Sequence, residues 1–126
     1  MKILMSIHNE HINNIKSGNK KFEFRKVEAK QFNDKEIFMY ATAPISKVVG
    51  VAIIKKVHVD TPKNIWEFTK NFSGIDSSFY YSYYDKKEKA VAYEIEEYIE
   101  FDRPKDLLEF GLSCPPQSFA YIKNNF

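Results

Sequence analysis

The run from Lys47 to Asp60, K-V-V-G-V-A-I-I-K-K-V-H-V-D, constrains the fold more than any other segment. Valine and isoleucine dominate it, and their branched, stiff side chains favour an extended backbone on a pleated surface. The run exceeds the usual five or six residues of a strand. Apolar positions crowd both of its faces, which predicts a long strand buried partly on both sides. Gly50 inside it predicts a bulge or a sharp coil, as small barrels need. A chain of 126 residues is the size of one ordinary domain, so residues 1–126 are expected to form a single unit.

The other elements fall around this strand. Lys2 to Ile7 reads as a short opening strand. His8 to Lys16 carries Ile12 and Ile15 on one side and reads as a helix, with Asn9 as its N-cap and Gly18 as its stop. Lys20 to Arg25 alternates: Phe22 and Phe24 point one way, Lys21, Glu23 and Arg25 the other. That pattern predicts a half-buried strand with a charged outer face. A polar loop follows from Lys26 to Asp34, then a strand from Glu36 to Thr42 that Pro44 breaks. Thr61-Pro62 opens a helix with Ile65, Trp66, Phe68, Thr69 and Phe72 on its apolar face. Asp76 starts another, running through Tyr84. Ala90 to Phe101 predicts a strand, with Val91, Tyr93, Ile95, Ile99 and Phe101 on one side and Glu94, Glu96, Tyr98 and Glu100 on the other. Pro104 to Phe110 reads as a short helix closed by Gly111, and Pro115-Pro116 as the start of a last helical turn. Helices do not separate the strands regularly, which argues against a doubly wound parallel sheet. The order fits an α+β fold: a mixed or antiparallel sheet curled into a small barrel, with helices over its openings.

Net charge is only +2, so overall charge does not mark a nucleic-acid binder. Its distribution is lopsided. Lys16 to Lys30 holds six cations against two acids, and Glu94 to Asp102 holds five acids and no cation. On separate faces these segments give a basic side that attracts phosphate or another anion; the alternative is two solvated faces without a partner. The single cysteine, Cys114, rules out a disulfide framework and suits a reducing cytoplasm. No apolar run is long enough to span a membrane, and Met1 to Ile7 is too short for a signal-peptide core. The expectation is a cytoplasmic protein, monomeric by default. His8 and His11 stand three apart on the first helix without an evident third ligand, so no metal site and no cofactor are expected. Surface or capping roles suit them better.

Gly18-Asn19-Lys20-Lys21-Phe22-Glu23-Phe24-Arg25 resembles the G-x-K-x-x-E-x-R signature of the ASCH (activating signal cointegrator homology) domain family, within the PUA-like barrel superfamily. Gly18, Lys20, Glu23 and Arg25 carry the match. The preceding strand and helix, and the closing Pro115-Pro116-Gln117-Ser118-Phe119, are similar to family members too. The resemblance implies a small PUA-like β-barrel with flanking helices and a cleft beside the motif strand. It also implies binding of RNA or a nucleotide. Some relatives are amidohydrolases acting on acetylated cytidine, others ribonucleases or transcription coactivators, so a role in regulating transcription or translation stays open. The fold alone does not choose among these.

Within that cleft, Arg25 offers a rigid fork for phosphate or carboxylate, or else braces the barrel by pairing with Glu23. Nearby cations hold Glu23 ionised, which suits it to accept hydrogen bonds from a base's amino group or to orient Lys20 rather than to act as a base. Lys20, crowded by Lys21 and Arg25, binds an anion or, in an enzyme, serves as base or nucleophile. Lys21, Tyr40 and Thr42 join the expected lining. So do Gln117 and Ser118, at the start of the expected last helix, where a helix N-terminus favours anions. A tyrosine from Phe79 to Tyr84 would stack a base. The amidohydrolase relatives carry a threonine nucleophile where this chain has Glu23, which weakens that activity here. Ser6, Thr42 or Ser118 would supply a hydroxyl only if the fold brings it to Lys20. A third possibility is a protein-interaction module docking through Tyr80 to Tyr84.

Overall fold

A computed structural model describes residues 1–123. Six strands form one mixed sheet: β1 (Lys2–Ile7), β2 (Phe22–Arg25), β3 (Glu36–Ala41), β4 (Lys47–Asp60), β5 (Ala90–Lys105) and β6 (Phe119–Ile122). Their order is β2-β5-β4-β3-β1-β6. β1 and β3 run parallel, and every other neighbouring pair is antiparallel. Three helices accompany the sheet: α1 (Asn9–Ser17), α2 (Pro62–Thr69) and α3 (Ser77–Tyr83). The result is the curled half-barrel with flanking helices that the element order implied.

Period-two alternation divides the apolar residues between the two faces of the sheet. Ile3, Met5 and Ile7 of β1 join Ile37 and Met39 of β3, Ala52 and Ile54 of β4, and Val91 and Tyr93 of β5 in the main core. Ile12 and Ile15 of α1 plug into it. Leu4 and Phe38 turn the other way, onto Val48, Val51 and Phe110. A third cluster joins Phe22 and Phe24 of β2 to Ile65 of α2 and to Tyr80 and Tyr84 of α3.

β4 spans the expected Lys47–Asp60, and its register with both neighbours shifts at Gly50. A Cβ built there would strike the Tyr98 ring and come within 2.7 Å of the Ile99 carbonyl oxygen. The glycine is therefore needed for close approach of β5.

Several local readings are corrected. His8, not Asn9, is the N-cap of α1, and its side chain makes no cap hydrogen bond. β5 continues through Pro104 to Lys105, because the long β4 offers it a partner as far back as Val48. Only Leu107–Phe110 is helical there, as a 3₁₀ turn. Glu97 pairs with Ile53 while Ile95 pairs with Ile54, leaving Glu96 as an extra residue. The bulge flips the alternation beyond it: Tyr98 packs on the core and Ile99 is exposed. The final helical turn does not form, since Phe119–Ile122 pairs with the free edge of β1. α2 buries Ile65 and Thr69 but leaves Phe68 exposed, and Phe72, in the 3₁₀ turn after it, is exposed as well.

The charged face of β2 is buried as well: Glu23 is 6% and Arg25 9% exposed. Arg25 explains why. β2 lies at one end of the strand order and β1 and β6 at the other, and Arg25 spans the gap. Its Nη2 donates to the Ser6 carbonyl at 3.0 Å. Its Nη1 donates to the Ser118 hydroxyl at 3.2 Å and lies 3.4 Å from the Ser118 carbonyl oxygen. Nε donates to Glu23 Oε2 at 3.1 Å, and Nη2 lies 2.9 Å from the same oxygen as an ion pair.

Two predictions follow from this packing. Gly50→Ala should destabilise the protein by about 1–3 kcal/mol through overpacking, seen as a lower denaturant midpoint with an unchanged slope. Arg25→Met should cost more, about 3–5 kcal/mol, because it removes the guanidinium paired with buried Glu23 and leaves only Lys20, 3.9 Å from Oε1. Urea unfolding would measure both, and an Arg25→Met protein as stable as the parent would show that the seam needs no brace.

Candidate functional site

The motif residues stand where three elements meet. Gly18 ends α1, and the chain then turns so that Lys20 bonds backward through its backbone N–H to the Asn14 carbonyl at 3.0 Å. Lys20 also forms a bridge to Ser73, in the segment between α2 and α3. Gly74, with φ 71°, lies against the aliphatic stem of Lys20, where a Cβ would come within 2.6 Å of the lysine Cβ. The lysine is thereby packed inward, on the side that alternation with Phe22 and Phe24 assigns it. Tyr83 and Tyr84 of α3 hold the backbone of β2, donating to the carbonyls of Phe24 at 3.4 Å and Arg25 at 2.9 Å.

Beside β2 opens a cavity of about 710 Å³. Lys20, Glu23 and Arg25 form one wall, Ser6, Gln117 and Ser118 another. His8 and His11 enter from α1, and Phe79 and Tyr83 from α3. Lys26 and Val27, at the start of the following loop, complete the rim. Lys26 and Phe79 are exposed, and the Lys26 ammonium sits 4.5 Å from the Tyr83 ring centroid.

The polar groups are unequally engaged. Lys20 is 3% exposed, and its Nζ donates to the Ser73 carbonyl at 2.9 Å. Nζ lies 3.9 Å from Glu23 Oε1 and 4.7 Å from the Phe24 ring centroid. Burial lowers the pKa of this lysine; Glu23 opposes that shift and Arg25 adds to it. Ser6 donates to the Pro116 carbonyl at 2.6 Å. The His8 ring lies 3.1 Å from the Thr42 hydroxyl. Burial also raises the Tyr83 phenol above its ordinary range.

Of the residues singled out from sequence, Lys20, Glu23, Arg25, Gln117 and Ser118 meet at this cavity. The absence of the last helix removes any helix N-terminus behind Gln117 and Ser118; Ser118 arrives there as the residue preceding β6. Lys21 is exposed and outside the lining, with its ammonium 4.3 Å from the Phe72 ring centroid. Tyr40 is buried in the second core, on the far face of β3. Thr42 does not line the cavity but positions His8, which does. Within the tyrosine-rich segment Tyr83 reaches the cavity, Tyr80 and Tyr84 are core, and Tyr81 is exposed elsewhere. His11 and Phe79 are cavity residues that the sequence did not single out as ligand contacts. The one available signal was position: both lie on helices flanking the motif strand.

Among the described residues no group of three or more His, Cys, Asp or Glu side chains is arranged to hold a metal ion. No helix among them is long and apolar enough to cross a membrane.

Comparison with known proteins identifies the family and the fold. Large ribosomal subunit protein uL22 of Ureaplasma parvum is 32% identical over 87 residues, which are 69% of this chain and only 28% of that protein. An ASCH domain-containing ribonuclease of Zymomonas mobilis is 25% identical over 125 residues, covering 95% of this chain and 83% of the relative. The crystal structure of ASCH from Zymomonas mobilis superposes with a TM-score of 0.86 at 24% identity, covering 98% of this chain and 88% of the other. The sequence profile of the ASCH domain matches residues 5–99. The chain belongs to the ASCH domain family.

Proposed function

We propose that the cavity beside β2 binds RNA, or a nucleotide cut from the same chemistry. The observation that carries this reading is the pairing of cations with rings around one opening: Lys20, Lys26 and Arg25 with Phe79 and Tyr83. Cations track phosphate, and aromatic faces stack bases of any identity. Glu23 Oε1, 3.9 Å from the Lys20 ammonium and outside the Arg25 contacts, is the acceptor for a base's amino group. Arg25 serves the ligand indirectly, by holding Glu23 and the Ser118 segment in place. ASCH membership and the ribonuclease name of one relative support RNA as the ligand class. In this reading residues 1–126 act as one unit, on RNA in the cytoplasm.

A second reading, cleavage of the bound RNA, is favoured by one observation. The side chains of Ser6 and Ser118 line the same cavity as Lys20, and cleavage requires one of their hydroxyls to come within reach of its ammonium. Amidohydrolase chemistry draws less support, because Glu23 stands where those relatives carry their nucleophile.

Fluorescence anisotropy with short single-stranded RNA at 50 and 200 mM salt tests the binding reading. Affinity should fall steeply with salt. Phe79→Ala should weaken binding by about 1–3 kcal/mol, the range for loss of a stacking ring. Lys26→Ala should flatten the salt dependence. Phe79 and Lys26 are exposed, so neither change should disturb folding. A folded parent protein that binds no RNA at low salt would sink this reading. Gel analysis of the recovered RNA separates binding from cleavage.

A further inference from the structure

Most polar side chains of the cavity wall are already bonded within the protein. Lys20 is held by Ser73, Arg25 by Glu23, Ser6 and Ser118, Ser6 by Pro116, and His8 by Thr42. His11 is the exception. Its Nδ1 is buried and has no hydrogen-bond partner among the described residues. A buried polar atom without a partner is uncommon and costs about 1–3 kcal/mol. The imidazole lines the cavity, with its ring centroid 6.1 Å from that of Phe79 and 6.3 Å from that of His8.

The charges facing this ring come from every element around it. Lys20 precedes β2, Glu23 lies on β2, and Glu10 and His8 share α1 with the ring; α3 presents the uncharged Phe79. Burial first, then Lys20, holds the imidazole below its ordinary pKa; His8 adds to this, and Glu23 and Glu10 oppose it. These surroundings favour neutral His11 at neutral pH.

We propose that His11 is a ligand-contacting residue, donating from its imidazole to a phosphate oxygen of bound RNA and taking up a proton when that phosphate is in place. The inference rests on the RNA-binding reading. A phosphate beside the ring opposes the field of Lys20 and favours the imidazolium. Linkage then fixes the sign. A group whose pKa rises on binding strengthens binding as pH falls through its bound-state value, and the gain is complete below its free-state value. Above the bound-state value the gain is absent.

The test uses the whole chain and a diuridine phosphate with 2′-O-methyl groups, which resists cleavage. Its single phosphodiester keeps one charge across the range used. Dissociation constants would be measured between pH 8 and pH 5.5. Affinity should rise about tenfold on going down in pH, the equivalent of one unit of pKa change. His58→Gln, which alters a histidine outside this cavity, should keep that slope. His11→Gln, which retains a neutral donor but cannot titrate, should show no slope. A slope that survives in His11→Gln, or a flat parent profile, would overturn the proposal while leaving RNA binding intact. Absence of binding at every pH would overturn both. Should His11→Gln fail to fold, NMR titration of the parent's His11 imidazole replaces it. Its midpoint should move up when the dinucleotide is added, and an unmoved midpoint rejects the proposal.

Discussion

Closure of the curled sheet depends on one side chain. Six strands in the order β2-β5-β4-β3-β1-β6 leave β2 and the β1–β6 pair at opposite ends. Between those ends no backbone ladder forms, so the seam needs another source of hydrogen bonds. Arg25 supplies them, reaching the Ser6 carbonyl on β1 and the Ser118 hydroxyl ahead of β6. A guanidinium suits the task because it is planar, always charged and carries five donors in a fixed fork. Glu23 compensates the buried charge from two residues away on the same strand. A lysine there would offer a point charge with three donors and would not span both carbonyl and carboxylate in one plane.

The same brace creates the cavity. Because the seam is joined by a side chain instead of a ladder, the two ends of the sheet stand apart. The space beside them is lined by whatever the neighbouring helices present. α1 contributes His8 and His11, and α3 contributes Phe79 and Tyr83. α3 is fixed there by its own phenols, since Tyr84 donates to the Arg25 carbonyl and Tyr80 to the Pro62 carbonyl. Burial raises both phenols far above the ordinary tyrosine range, so they remain donors at any physiological pH. The signature residues thus hold the wall, and residues outside the signature provide most of the free surface.

This division explains what the sequence made legible. β4, β3 and β1 could be read from apolar runs, and the ends of α2 and α3 from Thr61 and Asp76, because those signals are local. β6 could not, since Pro115-Pro116 looks like a helix start until the free edge of β1 is available to pair with it. The flip in β5 was hidden because a bulge at Glu96 leaves no local mark; it arises from register against β4. The charged face of β2 read as solvated because alternation reports two faces but not what covers them. Among the site residues, Lys20, Glu23 and Arg25 were legible through a motif, and Ser118 through its neighbourhood. Tyr40 failed because the end of a strand says nothing about which side of the sheet it faces. His11 failed because a histidine at helical spacing has many uses, and only its unpartnered Nδ1 distinguishes this one.

Electrostatics gives the cavity a preference of sign. Lys20, Arg25 and Lys26 outnumber Glu23 around it, and Lys20 sits where its charge is poorly solvated. Burial weakens the charged state of Lys20, and Lys20 in turn weakens that of His11. Desolvation is the first cause of both shifts, and a neighbouring cation adds to each. An anion entering the cavity would relieve both at once. A neutral ligand of the same shape would gain the stacking surface of Phe79 and Tyr83 but not this relief. In the RNA-binding proposal, shape and rings would admit a nucleoside, whereas charge would select for one that brings its phosphate.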